Sequence, residues 1–301
     1  MNLEGLLFFP VTPFRADGAV DLEVFGEHVR GGVERGAGAV FAACGTGEFA
    51  ALDGTEIDEL LAVAVAESAG RLPVFTGAGV GVGPACERIR RAAELGADGA
   101  LLFPPSGAAS GDTGYVGYVE RVAAASPLPI IVYQRAGMIL SVDAATRIAQ
   151  LPQVIGLKDG SGKIELVQGQ VRAIRAVRED FLFVNGLPTA EVTMPAYRAV
   201  GVERYSSAVF AFAPDVALAF HRAFTEHDVA EQQRLLDAFF LPLAQLRSVR
   251  PDYAISLVKA GVELRGLAVG SPRAPLGRPE QGVLDALEEL LQVERGLVAV
   301  P

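Results

Sequence analysis

Cysteine, histidine and lysine are all scarce in this sequence of 301 residues. The two cysteines, Cys44 and Cys86, are too few for a disulfide framework or a four-ligand zinc site, and they fit a reducing compartment such as the cytoplasm. The three histidines, His28, His221 and His227, have no spacing of the HExxH kind that holds a metal. His28 falls within a helical pattern and reads as a solvated or internally satisfied side chain. Positive charge is also short: the net charge is -10 and no basic stripe appears, which excludes a nucleic-acid surface. A small anion is not excluded, because backbone N–H groups and a few arginines can converge locally. No uncharged apolar run reaches the roughly 18 to 20 residues of a membrane span. The opening MNLEGLLFFPVTPF carries Glu4, Pro10 and Pro13 and lacks the basic region of a signal peptide. GAGVGVG at 77–83 satisfies GxGxxG in no register, so it reads as a flexible loop and not as a dinucleotide site.

What the chain does contain is apolar material in a repeating order, with hydrophobic residues at 50%. Short apolar runs (GLLFFPV, AVFAAC, PVFTGAG, GALLFPP, PIIVYQ, VIGLKD, FLFVNG and the weaker ERYSSAV) alternate with longer amphipathic stretches. Runs apolar on both faces belong to parallel strands covered by helices. The first helix is expected in DLEVFGEHVRGGVERG, capped by Asp21, with Leu22, Phe25, Val29 and Val33 at helical spacing and Gly36 at its end. Further helices are expected near 55–69, 84–95, 112–125, 141–150, 162–177, 188–199 and 214–224. Eight such units predict an α/β fold of the (β/α)8 TIM-barrel type over residues 1–225. Residues 226–301 show helical patterns without a strand signal and read as a C-terminal helical domain. The rival reading is a two-domain doubly wound protein.

In a barrel of this type the chemistry sits at the C-terminal ends of the strands. Lys158 ends the sixth run, and of the 26 basic residues only Lys158, Lys163 and Lys259 are lysines. A general need for charge therefore does not explain it, whereas an amine, unlike a guanidinium, can be deprotonated by desolvation and attack a carbonyl. The bland reading is an ion pair with Asp159. Tyr133 ends the fifth run on the neighbouring strand, where a phenol can relay protons. CGTGE at 44–48 offers Gly45, Thr46 and Gly47 as a carboxylate cradle of backbone N–H groups and one hydroxyl, or else a tight turn. Asn185, Thr189, Ser206 and Ser207 are the remaining substrate-binding candidates, with Arg135 either a further donor or the partner of an acid at a subunit contact.

FFPVTPF, GTGEF, GADGALLFPP, VYQR, GLKDGSGK, NGLPTAE and YSSAVF together resemble the dihydrodipicolinate synthase and N-acetylneuraminate lyase superfamily, in this order and from about residue 4 to about residue 295. Gly45, NGLPTAE and YSSAVF resemble most its 5-dehydro-4-deoxyglucarate dehydratase branch. The resemblance implies a barrel with a helical C-terminal domain, assembled as a homo-oligomer, either tetramer or dimer. It implies Lys158 as the Schiff-base lysine and Tyr133 as the proton-transferring tyrosine. The implied activity is a decarboxylating dehydration of a small sugar acid with no metal or organic cofactor, since a protonated imine is itself an electron sink. Three positions depart from the family pattern: Gln134 where asparagine is usual, Ser106 where a tyrosine is common, and Ala211 where this branch carries asparagine. Each exchange is expected to remove a polar or aromatic group near the barrel mouth. Alternatives left open are a Schiff-base aldolase or lyase of the same superfamily and a non-catalytic sugar-acid-binding descendant.

Overall fold

A computed structural model describes residues 3–105, 111–135 and 137–298; Ser106 lies outside the described residues. Eight parallel strands close into a barrel in sequence order: β1 Leu7–Phe8, β2 Ala39–Ala42, β3 Val74–Val80, β4 Gly99–Pro105, β5 Ile130–Gln134, β6 Val154–Asp159, β7 Leu182–Asn185 and β8 Arg204–Ser207. The helices between them are α1 Leu22–Glu34, α2 Gly54–Ser68, α3 Val82–Glu94, α4 Gly111–Ala125, α5 Val142–Ala149, α6 Ile164–Arg175 and α7 Ala190–Ala199, with α8 Pro214–Thr225 after β8. The tail adds α9 Val229–Leu235, a π-helical stretch over Leu236–Phe240, then α10 Leu241–Ser248, α11 Tyr253–Leu264 and α12 Gln281–Val298. Among the described residues no strand follows Ser207, as the sequence pattern predicts.

The alternation of apolar runs and amphipathic stretches is the cause of this order. Strand β5 is buried at every position, with Ile130, Ile131 and Val132 apolar on both faces, while α1 buries Phe25, Val29 and Val33 on one stripe. Asp21 caps α1 as expected, its carboxylate accepting from Val24 N–H. Asp53 and Glu56 form a reciprocal capping box at the start of α2. The expectation of a seven-residue loop at 77–83 is corrected. Gly77 to Val80 complete β3 and α3 begins at Val82, since the small side chains pack as strand against β4, with Phe75 to Ala78 in register with Gly99 to Leu102.

The chain forms two compact units, one running up to Leu72 and resuming from Ser207 onward, the other Pro73–Ser206. In the first, α8 packs on the tail through Phe220 and Phe240, whose rings lie 5.2 Å apart. The same unit buries His28 on α1 against Phe8, at 5.2 Å between rings and with no hydrogen-bond partner for Nε2. Burial lowers its pKa from 6.5 to about 4, so folded His28 stays neutral where the unfolded chain takes up a proton. Stability is therefore expected to fall as pH drops from about 6.5 towards about 4, by up to ~3 kcal/mol from this group. Urea unfolding at pH 7 and pH 4.5 checks this: His28→Leu loses less stability on acidification than the unaltered protein, and equal losses would assign the acid sensitivity elsewhere.

Candidate active site

The Pro73–Ser206 unit brings the two predicted catalytic side chains together. Tyr133 and Lys158 are register partners on β5 and β6, so their side chains leave the sheet on the same face. The Lys158 ammonium nitrogen stands 3.9 Å from the centroid of the Tyr133 ring. Both side chains converge on one acceptor: Tyr133 Oη donates to the Gly186 carbonyl at 3.0 Å, and Lys158 Nζ lies 3.4 Å from the same oxygen. They are 8% and 5% exposed, enough to meet a small molecule and too little for bulk water to solvate the amine. Phe103 packs edge-on against the Tyr133 ring at 5.7 Å, and Tyr115 Oη holds the Tyr133 carbonyl at 2.8 Å.

Space for the lysine depends on the residue after β7. A Cβ on Gly186 would lie 2.5 Å from Lys158 Nζ and 3.0 Å from the Asp159 carbonyl, so only glycine lets the backbone pass beside the amine. On Arg135, just past β5, the guanidinium carbon stands 5.5 Å from the Tyr133 ring centroid on an exposed side chain.

The next residue on each strand faces the helices instead. Gln134, Asp159 and Asn185 form one row across β5, β6 and β7, all at most 4% exposed. Asp159 accepts from Gln134 Nε2 at 2.7 Å, from Ser161 Oγ at 2.7 Å, from the N–H groups of Ser161 and Gly162, and from Tyr197 Oη. Burial, with the Asp159 hydrogen bond beside it, pushes the Tyr197 phenol well above its ordinary range, so it stays a donor. Gln170 on α6 closes the cluster by exchanging hydrogen bonds with Gln134. Strand alternation therefore removes Asp159 as the partner of Lys158 and corrects the placement of Gln134, which faces the helix layer instead of the mouth. This carboxylate cluster ties the strand end that carries Lys158 to α6 and α7.

The remaining candidates are scattered by the same rule. Asn185 spends its amide on the turn into α7, donating to the Ala190 carbonyl and Thr193 Oγ1 and accepting from Leu187 N–H. Thr189 is the residue before α7, 8% exposed, and makes no capping bond there. Ser206 alternates onto the Tyr133–Lys158 side, its Oγ 3.4 Å from the Asn185 carbonyl. Ser207 turns outward and accepts from Phe210 N–H at 3.1 Å. Ala211 lies in the short 3-10 turn that follows, 9% exposed.

Gly45, Thr46 and Gly47 belong to the other unit, in the tight turn after β2. Thr12 Oγ1 donates to the Gly47 carbonyl at 2.7 Å, which joins this turn to the segment after β1. Glu48, quoted in the motif but given no role by the sequence, is 2% exposed and pairs with Lys259 at 2.8 Å. Its burial was not foreseeable locally, because the partner stands 211 residues away.

Comparison with known proteins places the chain. The Dihydrodipicolinate synthetase family matches residues 2–294. A Streptomyces coelicolor protein named "Probable 5-dehydro-4-deoxyglucarate dehydratase 1" is 50% identical over 299 residues, 98% of this chain and 94% of that one. A Ralstonia nicotianae protein named "Probable 5-dehydro-4-deoxyglucarate dehydratase" is 39% identical over 288 residues, 95% of this chain and 92% of its own. Among solved structures, dihydrodipicolinate synthase from Bacillus clausii superposes with a TM-score of 0.90 at 25% identity, covering 96% of this chain and 97% of that one. The lysine and tyrosine at adjoining strand ends, the closed barrel and these matches lead to one conclusion: the chain belongs to the dihydrodipicolinate synthetase family.

Proposed function

We propose that this chain is a 5-dehydro-4-deoxyglucarate dehydratase, converting that sugar acid to 2,5-dioxopentanoate, water and carbon dioxide through a Schiff base on Lys158. The observation that carries the reading is the shared carbonyl: Lys158 Nζ and Tyr133 Oη both address Gly186 O, which sets the amine and the phenol side by side at adjoining strand ends. The near-full-length likeness to proteins named for this reaction supports the choice of substrate.

The chemistry follows from that pairing. Lys158 adds to the C5 ketone, water leaves, and the resulting iminium acidifies the C4 protons. Tyr133 takes part in removing a C4 proton and in protonating the C3 hydroxyl as it departs. The product is an iminium conjugated to a C3–C4 double bond. When the C1–C2 bond breaks, carbon dioxide leaves and the electron pair flows through this system to the nitrogen. Protonation of the dienamine and tautomerisation of the C2 enol give the aldehyde, and hydrolysis frees Lys158. The turn at Gly45, Thr46 and Gly47 holds the C6 carboxylate, the one beside the ketone. Ser206, on the Lys158 face, serves the substrate hydroxyls ahead of Thr189 and ahead of Ser207 and Asn185, whose polar atoms are already engaged. A strong clamp on C1 is not wanted, because that carboxylate must leave.

The chain acts as a homo-oligomer, dimer or tetramer, and in the cytoplasm, a setting that the two buried cysteines support. Residues 226–301 form an appendage to the barrel of residues 1–225. Among the described residues no helix is long and apolar enough to cross a membrane. Borohydride reduction in the presence of 5-dehydro-4-deoxyglucarate, followed by intact-mass and peptide mapping, is expected to place one adduct on Lys158, with carbon dioxide released in the unreduced reaction. An adduct without carbon dioxide moves the assignment to an aldolase or lyase of the same family, and pyruvate release identifies it. No adduct at all overturns the Schiff-base reading.

A further inference from the structure

Two of the three lysines of this chain are buried, and the second has no part in the chemistry above. Lys259 on α11 is 1% exposed and forms its ion pair with Glu48, whose side chain is fully buried. Oε2 of the same carboxylate accepts from the Arg273 N–H at 2.8 Å. Arg273 continues outward, donating to the Ala51 and Gly18 carbonyls and to Glu56 at the start of α2. Phe14, in the segment after β1, meets both cations, with Lys259 Nζ at 4.0 Å and the Arg273 guanidinium carbon at 4.3 Å from its ring centroid. Its backbone N–H donates to Val269 at 3.0 Å, and Gly270 passes so close that a Cβ there would sit 2.1 Å from the Phe14 carbonyl. All these residues belong to one compact unit.

This arrangement fastens the loop after β2. Glu48 adopts a left-handed backbone at φ 60°, which a non-glycine residue holds only when its surroundings over-determine it. Its two carboxylate oxygens supply that constraint, one through Lys259 and one through Arg273. Burial drives the Lys259 pKa down and the Glu48 charge and hydrogen bond oppose the fall, so the pair holds only as a pair. A lysine suits the position where arginine is the rule elsewhere, because a compact ammonium fits between a phenyl face and a single carboxylate oxygen.

We propose that Lys259, with Glu48 and the N–H of Arg273, is a positioning device for substrate binding: the tail reaches back to set the geometry of Gly45, Thr46 and Gly47. The inference rests on the reading that this turn holds the substrate carboxylate. It assigns the segment from Lys259 to Arg273 a role in affinity, beyond covering the barrel.

The test compares Lys259→Met with the double variant Lys259→Met/Glu48→Gln, which removes both charges and protects against a folding failure caused by an uncompensated buried carboxylate. Steady-state kinetics with 5-dehydro-4-deoxyglucarate are measured on folded protein, with Thr46→Val as a probe of the turn itself. The expected result is a KM raised at least tenfold in the double variant, with kcat changed less than threefold and the Lys158 borohydride adduct still formed at saturating substrate. Thr46→Val raises KM in the same direction. A double variant that unfolds at lower urea yet keeps its KM makes the ion pair merely structural and overturns the proposal. An unchanged KM in Thr46→Val together with an unchanged KM in the double variant overturns the carboxylate reading of the turn as well.

Discussion

Replacing Lys158 with methionine is expected to lower kcat by a factor on the order of 10⁴ or more, the scale of losing a covalent nucleophile. Methionine keeps an unbranched chain, one atom shorter, and removes the amine, so it fits the channel beside Gly186 and still lies against the Tyr133 ring. The substitution also places an apolar side chain at a site only 5% exposed. The melting temperature is therefore expected to stay level or rise while turnover vanishes. That divergence separates chemistry from folding: a variant that loses activity and stability together would point to a structural lysine. Retention of more than one part in a hundred of the turnover would mean that another group forms the covalent bond. Asp159 does not confuse the test, because its carboxylate is occupied by Gln134, Ser161, Gly162 and Tyr197 on the opposite side of the strand.

Tyr133→Phe is expected to lower kcat by about 10² to 10⁴, the range for a positioned general acid–base group, while leaving adduct formation at Lys158 intact. The ring remains against Phe103 and beneath the ammonium, so packing changes little. What disappears is one hydroxyl, 3.0 Å from the Gly186 carbonyl, whose oxygen still has Lys158 Nζ at 3.4 Å. Single-turnover mixing with borohydride at timed intervals reads imine formation apart from the elimination that follows. A fast imine with slow carbon dioxide release places the tyrosine in the proton transfers. Equal slowing of both steps would make Tyr133 a support for Lys158 and leave the relay to another group.

Much of the scaffold could be read locally. Asp21 before Leu22, the apolar stripe of α1 and the apolar run that opens β5 each carry a signal that depends only on near neighbours, through capping, the 3.6-residue period and burial of both strand faces. The pairing of Tyr133 with Lys158 is legible for the same reason, since both residues end consecutive strands of a parallel barrel. The stretch at 77–83 misled because glycine richness signals freedom of the chain, whereas here the small residues extend β3 and start α3. Position along the chain alone puts Gln134 and Asn185 at the mouth. Once Lys158 faces inward, the two-residue period of the strand sends Asp159 outward, and its register partners Gln134 and Asn185 go with it. That signal was present in the sequence, but using it requires the phase of the strand.

By itself, then, the sequence determined the order of strands and helices and the placing of Lys158 and Tyr133 side by side at adjoining strand ends, because hydrophobic period and strand-end position are properties of neighbouring residues. Only the tertiary structure decided which polar groups lie on the Lys158 side and which brace the strand ends. The carboxylate of Asp159 finds its partners on α6 and α7, and Glu48 meets Lys259 across 211 residues. Such pairings depend on strand phase and on the folded path of the tail, and a buried charge is stable only where that path supplies its counterpart.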